Sequence, residues 1–266
     1  GSPLSEVADL RFGSDGSIEL RTGSQAMGQG QLTTLPLILA RQLDIDPERV
    51  KILQGDSSIV HDGIATVASR STMMVGGAIV QAVDQALEKG RKLAADLLEV
   101  SPGDVDYEAG CFRVTGTDRS VTLAELAARS QELDTVTTFT SPEMSFPNGC
   151  HICEVEIDPG TGEAQVVKYT GVDDIGQVIH PVIVEGQIHG GVAQALGQVL
   201  GESVVYSEHG QLLTSSFMDY PLPRADTVPA MQVTHHVVPC TTNPLGVKGA
   251  GESGVSGALP SAANTR

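Results

Sequence analysis

The stretch DDIGQVIHPVIVEGQIHGGVAQALGQVLGE, residues 173–202, decides how the chain is read. Pro181 stands where a helix can begin, because a proline in the first turn gives up an amide that has no intrahelical partner anyway. Residues 182–200 then carry apolar side chains at helical spacing, with Gly186, Gly190, Gly191 and Gly197 offering a surface for close packing. Upstream, residues 152–157 and 164–172 alternate as strands around Asp158-Pro159-Gly160-Thr161-Gly162, a turn built of the residue types that hairpins require. Downstream, residues 202–206 and 231–237 read as further strands, and Ser261-Ala262-Ala263-Asn264 belongs to a last helix.

The first half repeats this rhythm. SIELR, residues 17–21, is a strand ending at Thr22-Gly23, and VKIL, residues 50–53, is another. Between them Leu32, Leu35, Leu39 and Leu43 mark one face of a helix that tolerates Pro36 only in its first turn. A long small-residue helix spans 72–98, with Gly76-Gly77-Ala78 permitting close packing and Gly90 marking a break. Short strands and turns occupy residues 104–114, and a short helix occupies 121–128. Pro142 and Pro147 make residues 141–149 an internal boundary. Strand, strand, helix in each half predicts an α+β fold with two related lobes of mixed sheet and packed helices, 17–140 and 141–266. Residues 1–16 read as a leader whose Gly1-Ser2 start looks like a cloning scar.

With 40% hydrophobic and 18% charged residues in 266, the chain is neither a disordered tail nor a coiled coil. Its formal charge of −17 argues against nucleic acid as a partner. No apolar run reaches the roughly 18 residues of a membrane span, and the opening residues have neither the basic nor the apolar region of a signal peptide, so the chain as given is expected to be soluble; for the parent protein, whose amino terminus is not visible, a cytoplasmic location is the expectation. The four cysteines, Cys111, Cys150, Cys153 and Cys240, read as reduced thiols. Cys150-His151-Ile152-Cys153 runs into the alternating Glu154-Val155-Glu156-Ile157, and on one strand positions three apart face opposite sides, so its thiols diverge.

Chemistry concentrates in loops rich in glycine. GAGESG, residues 249–254, has the spacing GxGxxG, but a dinucleotide fold needs a preceding strand and an acidic residue about 20 positions later, for which too little chain remains. Glu252 within it, four residues after Lys248, is a general base if a packed cleft holds it and a solvated loop group otherwise. Met27-Gly28-Gln29-Gly30-Gln31 lies at a strand-to-helix junction where bare amides and Gln side chains either meet a polar ligand or simply start a helix. Ala68-Ser69-Arg70-Ser71-Thr72 leads into the long helix, where an anion would be welcome and where Ser71 or Thr72 could equally be an ordinary cap. Gln187 and His189 either face a ligand or pack in a polar core.

Taken in order, AMGQGQLTT (26–34), ATVASRSTMMVGGA (65–78), EVEIDPGTGEAQV (154–166), the stretch at 173–202 and NPLGVKGAGESG (243–254) closely resemble the carboxy-terminal molybdopterin-binding part of the molybdenum hydroxylases. That family includes xanthine dehydrogenase, aldehyde oxidoreductase and aerobic carbon monoxide dehydrogenase. The resemblance implies that Gly28, Gln29 and Gly30, then Ala68, Ser69, Arg70, Ser71 and Thr72, and then Gln187 contact the pterin, its pyrophosphate or an attached nucleotide. Lys248, Gly249 and Gly251 would line the same pocket, and no side chain would ligate the metal directly. It implies that Glu252 is the base that takes a proton from the oxygen ligand of molybdenum. The implied cofactor is molybdopterin, plain or as the cytosine dinucleotide, with Fe-S clusters and FAD on partner domains or subunits. The implied substrate is an aldehyde, an N-heterocycle or CO, with water as oxygen source. The amino-terminal half of a molybdenum subunit would supply further pterin contacts and the substrate pocket. Where relatives have Asn before Pro ahead of VEGQ, this chain has His180. A different reading is an excised domain or assembly module that binds no cofactor alone.

Overall fold

The computed structural model describes residues 5–60 and 62–265. The Gly1-Ser2 start lies outside the described residues. The chain divides into two compact units, one of residues 1–144 with 240–247, the other of residues 145–239 with 248–266. The division at 144 falls inside the proline-marked stretch, while residues 240–247 belong with the first unit although they lie far along the chain.

In the first unit, β1 (Ser5–Phe12), β2 (Ile18–Arg21), β3 (Val50–Leu53) and β7 (Thr135–Thr140) form a sheet in the order β3-β2-β1-β7. β1 pairs antiparallel with both neighbours, and β2 pairs parallel with β3, so the sheet is mixed. Residues 5–12, set with the leader in sequence, are thus a central strand. Its inward positions are Glu6, Ala8 and Leu10, and the carboxylate at the first of these hides the alternation from a sequence reading.

Helices α1 (Gln31–Leu43) and α2 (Ser71–Leu98) pack with this sheet. Leu35, Ile38, Leu39 and Leu43 of α1 are buried, but Leu32, expected on that face, is 61% exposed. Pro36 lies inside the helix and is buried, beyond the first turn; the carbonyl four residues back that loses its partner belongs to the exposed Leu32. α2 runs unbroken for 28 residues, so the break expected near Gly90 does not occur. Gly90 is there for space: a Cβ on it would lie 2.3 Å from the ring of Phe112. Gly76 and Gly77 make similarly close contacts, with Leu245 and the Phe139 ring. A small antiparallel sheet of β4 (Val105–Glu108), β5 (Cys111–Val114) and β6 (Ser120–Thr122) leads into α3 (Leu123–Arg129), which starts with a Thr122–Glu125 capping box.

In the second unit, β8 (Asn148–Ile157) and β9 (Ala164–Asp174) form the expected hairpin. Asp158 shapes its turn by accepting from the amides of Gly160 and Thr161 at 2.7 and 2.8 Å. β10 (Met231–His235) adds parallel to β9, giving the order β10-β9-β8. Cys150 is exposed and Cys153 buried, as alternation on one strand requires. Helices α4 (Pro181–Leu200) and α5 (Ser253–Ala263) share a core with Cys153, Val166 and Tyr169. Of the four α4 glycines, Gly191 and Gly197 are closely packed, whereas Gly186 and Gly190 have no neighbour within 4 Å of a built Cβ. The expected strand at 202–206 is not formed; only the bridge Tyr206–Leu212 remains, because no strand of the sheet lies alongside it. No helix among the described residues is long and apolar enough to cross a membrane.

Candidate functional site

The motif at residues 26–34 places Gly28 and Gly30 in left-handed conformations, at φ 97° and 84°, with Gly30 as the N-cap of α1. Glycine meets no steric penalty there. Gln29 ties the turn together: its Oε1 accepts from the Met27 amide and its Nε2 donates to the Gln25 carbonyl. The loop of the next motif carries two successive left-handed residues that are not glycine, Ala68 and Ser69, at φ 50° and 51°. Such a conformation costs roughly 1–2 kcal/mol per residue and needs support from its surroundings.

Arg70 gives that support. Its guanidinium is buried, donating to Glu6 at 2.9 Å and also to the Ser5 carbonyl. Ser71 is buried against Ser24 through their hydroxyls, and Thr72 is half-buried in an otherwise buried helix start. A polar network joins the two loops. Thr66 donates to the Gln25 carbonyl at 2.7 Å, Gln31 donates to Thr66 at 3.3 Å, and Gln54 donates to Gln31 at 3.2 Å and accepts from the Ala26 amide. The first two motifs are therefore one structural entity within the first unit. The sequence reading singles out neither Glu6 nor Gln54; a lone polar residue in or just after a strand carries no signal of a partner so distant.

In the second unit, Gln187 is half-buried on α4, and Glu252 is the exposed N-cap of α5. They lie beside one contact. A Cβ on Gly254 would sit 2.3 Å from the Ile188 carbonyl oxygen, and one on Gly191 would sit 2.7 Å from the Val255 amide nitrogen. Only glycine lets the start of α5 press so closely on α4. Gly249 is half-buried and Gly251 exposed in the turn that leads there. The Lys248 ammonium binds Asp174. His180 caps α4, its Nδ1 accepting from the Ile183 amide at 3.4 Å, an acceptor role that an Asn oxygen could fill as well. His189 lies within 3.9 Å of Glu185 one turn earlier.

One property is shared by the three motif loops. α1, α2 and α5 all begin without a hydrogen-bonding side-chain cap, α5 with the Glu252 carboxylate at its N-cap position, whereas α3 and α4 are capped by side chains. Uncapped helix starts carry amides oriented outward and a partial positive charge, which suits phosphate and carbonyl oxygens. Among the described residues, no group of three or more His, Cys, Asp or Glu side chains could hold a metal ion.

A family model described as the molybdopterin cofactor-binding domain matches residues 1–229. The chain belongs to that family. It is the molybdopterin-binding part known from the molybdenum hydroxylases, and its relatives extend the match through the Glu252 loop. It is 35% identical, over 96% of its length, to the 6-hydroxypseudooxynicotine dehydrogenase complex subunit gamma of Paenarthrobacter nicotinovorans. It is also 35% identical, over 98% of its length, to the carbon monoxide dehydrogenase large chain of Hydrogenophaga pseudoflava. In both cases it spans 34% of the relative. The crystal structure of Cu,Mo-CO dehydrogenase in its carbon monoxide reduced state superposes with a TM-score of 0.91 at 34% identity, covering 100% of this chain and 35% of that one. Quinoline 2-oxidoreductase from Pseudomonas putida 86 follows at 0.88 and 33%, covering 97% and 34%. The molybdopterin cofactor-binding family thus accounts for the α+β architecture of mixed sheets and for the order of the motifs.

Proposed function

We propose that this molybdopterin-binding domain forms part of the cofactor pocket of a molybdenum hydroxylase and that Glu252 is its general base. The observation that carries the reading is the coincidence of three uncapped helix starts with three motif loops of the family. These residues fit the group: the amides at the starts of α1 and α2 would meet its phosphate and pterin oxygens, and no described cluster of side chains competes for a metal. When bound, molybdopterin supplies a molybdenum centre that accepts two electrons from a small substrate while water provides the oxygen.

The chain's own part is to hold and to move a proton. The amides after Gly30 and Arg70 meet anionic oxygens, with Ser69 and Thr72 beside them, and the Ala68–Ser69 conformation turns successive amides the same way. Gln187 supplies a carboxamide to the pterin edge. Glu252, presented at the tip of α5, would be the group that accepts a proton. The finer assignments follow from the same reading: a cytosine dinucleotide form of the cofactor, iron-sulfur and flavin subunits as electron acceptors, the remainder of a molybdenum subunit as the other wall of the pocket, and a cytoplasmic location. The substrate is a small molecule with an electron-poor carbon, such as an aldehyde, an N-heterocycle or CO.

Glu252→Gln in the complete enzyme tests this. Glutamine keeps the shape but removes the basic oxygen, so turnover should fall by about 10²–10⁴-fold with molybdenum content unchanged. Full turnover with full loading would refute the base assignment, and joint loss of activity and molybdenum would make Glu252 a structural part of the pocket instead.

A further inference from the structure

Glu252 stands between two anchors that start from adjacent residues of β9. Asp173 and Asp174 face opposite sides of the sheet, as strand neighbours must. On one side, Asp174 is 11% exposed and receives three donors. Its Oδ1 accepts from the amides of Gly176 and Val238, both at 3.0 Å, and its Oδ2 takes the ammonium of Lys248. Burial opposes the charge on this carboxyl, yet the Lys248 ammonium and the two amides outweigh it and hold the group below the usual carboxylate range. The Lys248 amide also donates to the Ile175 carbonyl at 2.8 Å. The residue that opens the GAGE turn is therefore tied to the end of β9 by main chain and side chain together.

On the other side, Asp173 Oδ1 meets His151 Nε2 at 3.1 Å, and His151 Nδ1 meets the Tyr169 hydroxyl at 2.7 Å. Burial pushes the Tyr169 phenol up to about 12, so it remains a donor at neutral pH. The ring is 4% exposed and sits under α5, where a Cβ on Gly257 would fall 2.5 Å from it. The helix is thus seated on this ring just beyond Glu252.

We propose that Asp174 is a positioning residue for Glu252, fixing residues 248–252 through the ammonium of Lys248 while Asp173 and His151 seat the helix that follows. The proposal rests on Glu252 being the base, since the purpose of the anchor is to place that carboxylate. A base displaced by about 1 Å loses on the order of 10²-fold in rate, and a turn composed of Gly249, Ala250 and Gly251 has little stiffness of its own.

Asp174→Asn is the discriminating variant. Asparagine keeps Oδ1 for Gly176 and Val238 and sets an amide group against the Lys248 ammonium, so only that link is broken. Hydrogen exchange on the full chain should show at least a tenfold loss of protection at residues 248–253, with the β8–β9 hairpin and α4 unchanged. Lys248→Met should give the same local loss, and the double variant no more than either, because both remove one interaction. In the complete molybdenum enzyme, Asp174→Asn should lower kcat about 10–100-fold with KM and molybdenum content unchanged, and Asp174→Glu should recover part of it. Unchanged exchange at 248–253, additive losses, or a fall in kcat that comes with lost molybdenum would overturn the assignment. Should Glu252→Gln retain full turnover, the base reading fails, while the exchange data still judge the anchor by itself.

Discussion

The guanidinium of Arg70 and the carboxylate of Glu6 meet at 2.9 Å with 5% and 0% of their side chains exposed. This pair closes the loop that carries Ala68 and Ser69 against β1. A buried charge left without its partner costs roughly 3–5 kcal/mol, whereas replacing both members by apolar groups is often nearly neutral. Arg70→Met should therefore destabilise the chain by about 3–5 kcal/mol, and the double variant Glu6→Leu with Arg70→Met should recover most of that loss. Urea unfolding of the wild type, the single and the double variants checks this, and additive losses would contradict it.

Two glycine substitutions in helices should have opposite signs. Alanine raises helix propensity by about 1 kcal/mol over glycine. At Gly90 that gain is outweighed, because the new methyl would meet the buried Phe112 ring and overpacking costs about 1–3 kcal/mol. At Gly190 nothing lies within 4 Å, so Gly190→Ala should raise the melting temperature where Gly90→Ala lowers it. Thermal melts of the two variants side by side decide the matter.

Stability should fall steeply above pH 10. Burial raises the phenols of Tyr107 and Tyr169 from 10.0 to about 12. The folded state therefore favours their protonated forms. Their contribution is whole below the unfolded value and is lost as pH climbs through the folded one. Tyr169→Phe removes one of the two groups, and the slope of unfolding free energy against pH between 10 and 12 should be visibly shallower. An unchanged slope would show that Tyr169 is ionised in both states alike.

Chelation should leave the fold intact. The cores of both units are apolar, and no described cluster could hold a structural metal, so the melting temperature with and without excess EDTA should agree. The purified chain should also contain far less than stoichiometric molybdenum, because a ligand open to water on one side of its pocket loses much of its affinity. Elemental analysis tests this, and full occupancy would show a site complete within these residues.

Much of the fold and some of the site are legible in local pattern. Pro181 does open α4, Asp158 to Gly162 does turn the hairpin, and alternation alone separates the exposed Cys150 from the buried Cys153. Order of motifs identifies the family, because five motifs in sequence are a one-dimensional signature. Where the local pattern misleads, a distant neighbour is the cause. Glycine at position 90 looks like a helix break until Phe112 fills the space beside it. Residues 202–206 have strand composition, but a strand also requires an edge to pair with.

What the sequence by itself determined is the main helices, the β8–β9 hairpin and the loops that carry the family's motifs, since periodicity, turn residues and helix starts act over a few neighbouring positions. What only the tertiary structure decided is how those loops are held. Glu6 reaches Arg70 across 64 residues and Asp174 reaches Lys248 across 74. Nothing in the composition near either residue names its partner, because a buried ion pair is selected by the place where two surfaces meet, and that place exists only once the chain has folded.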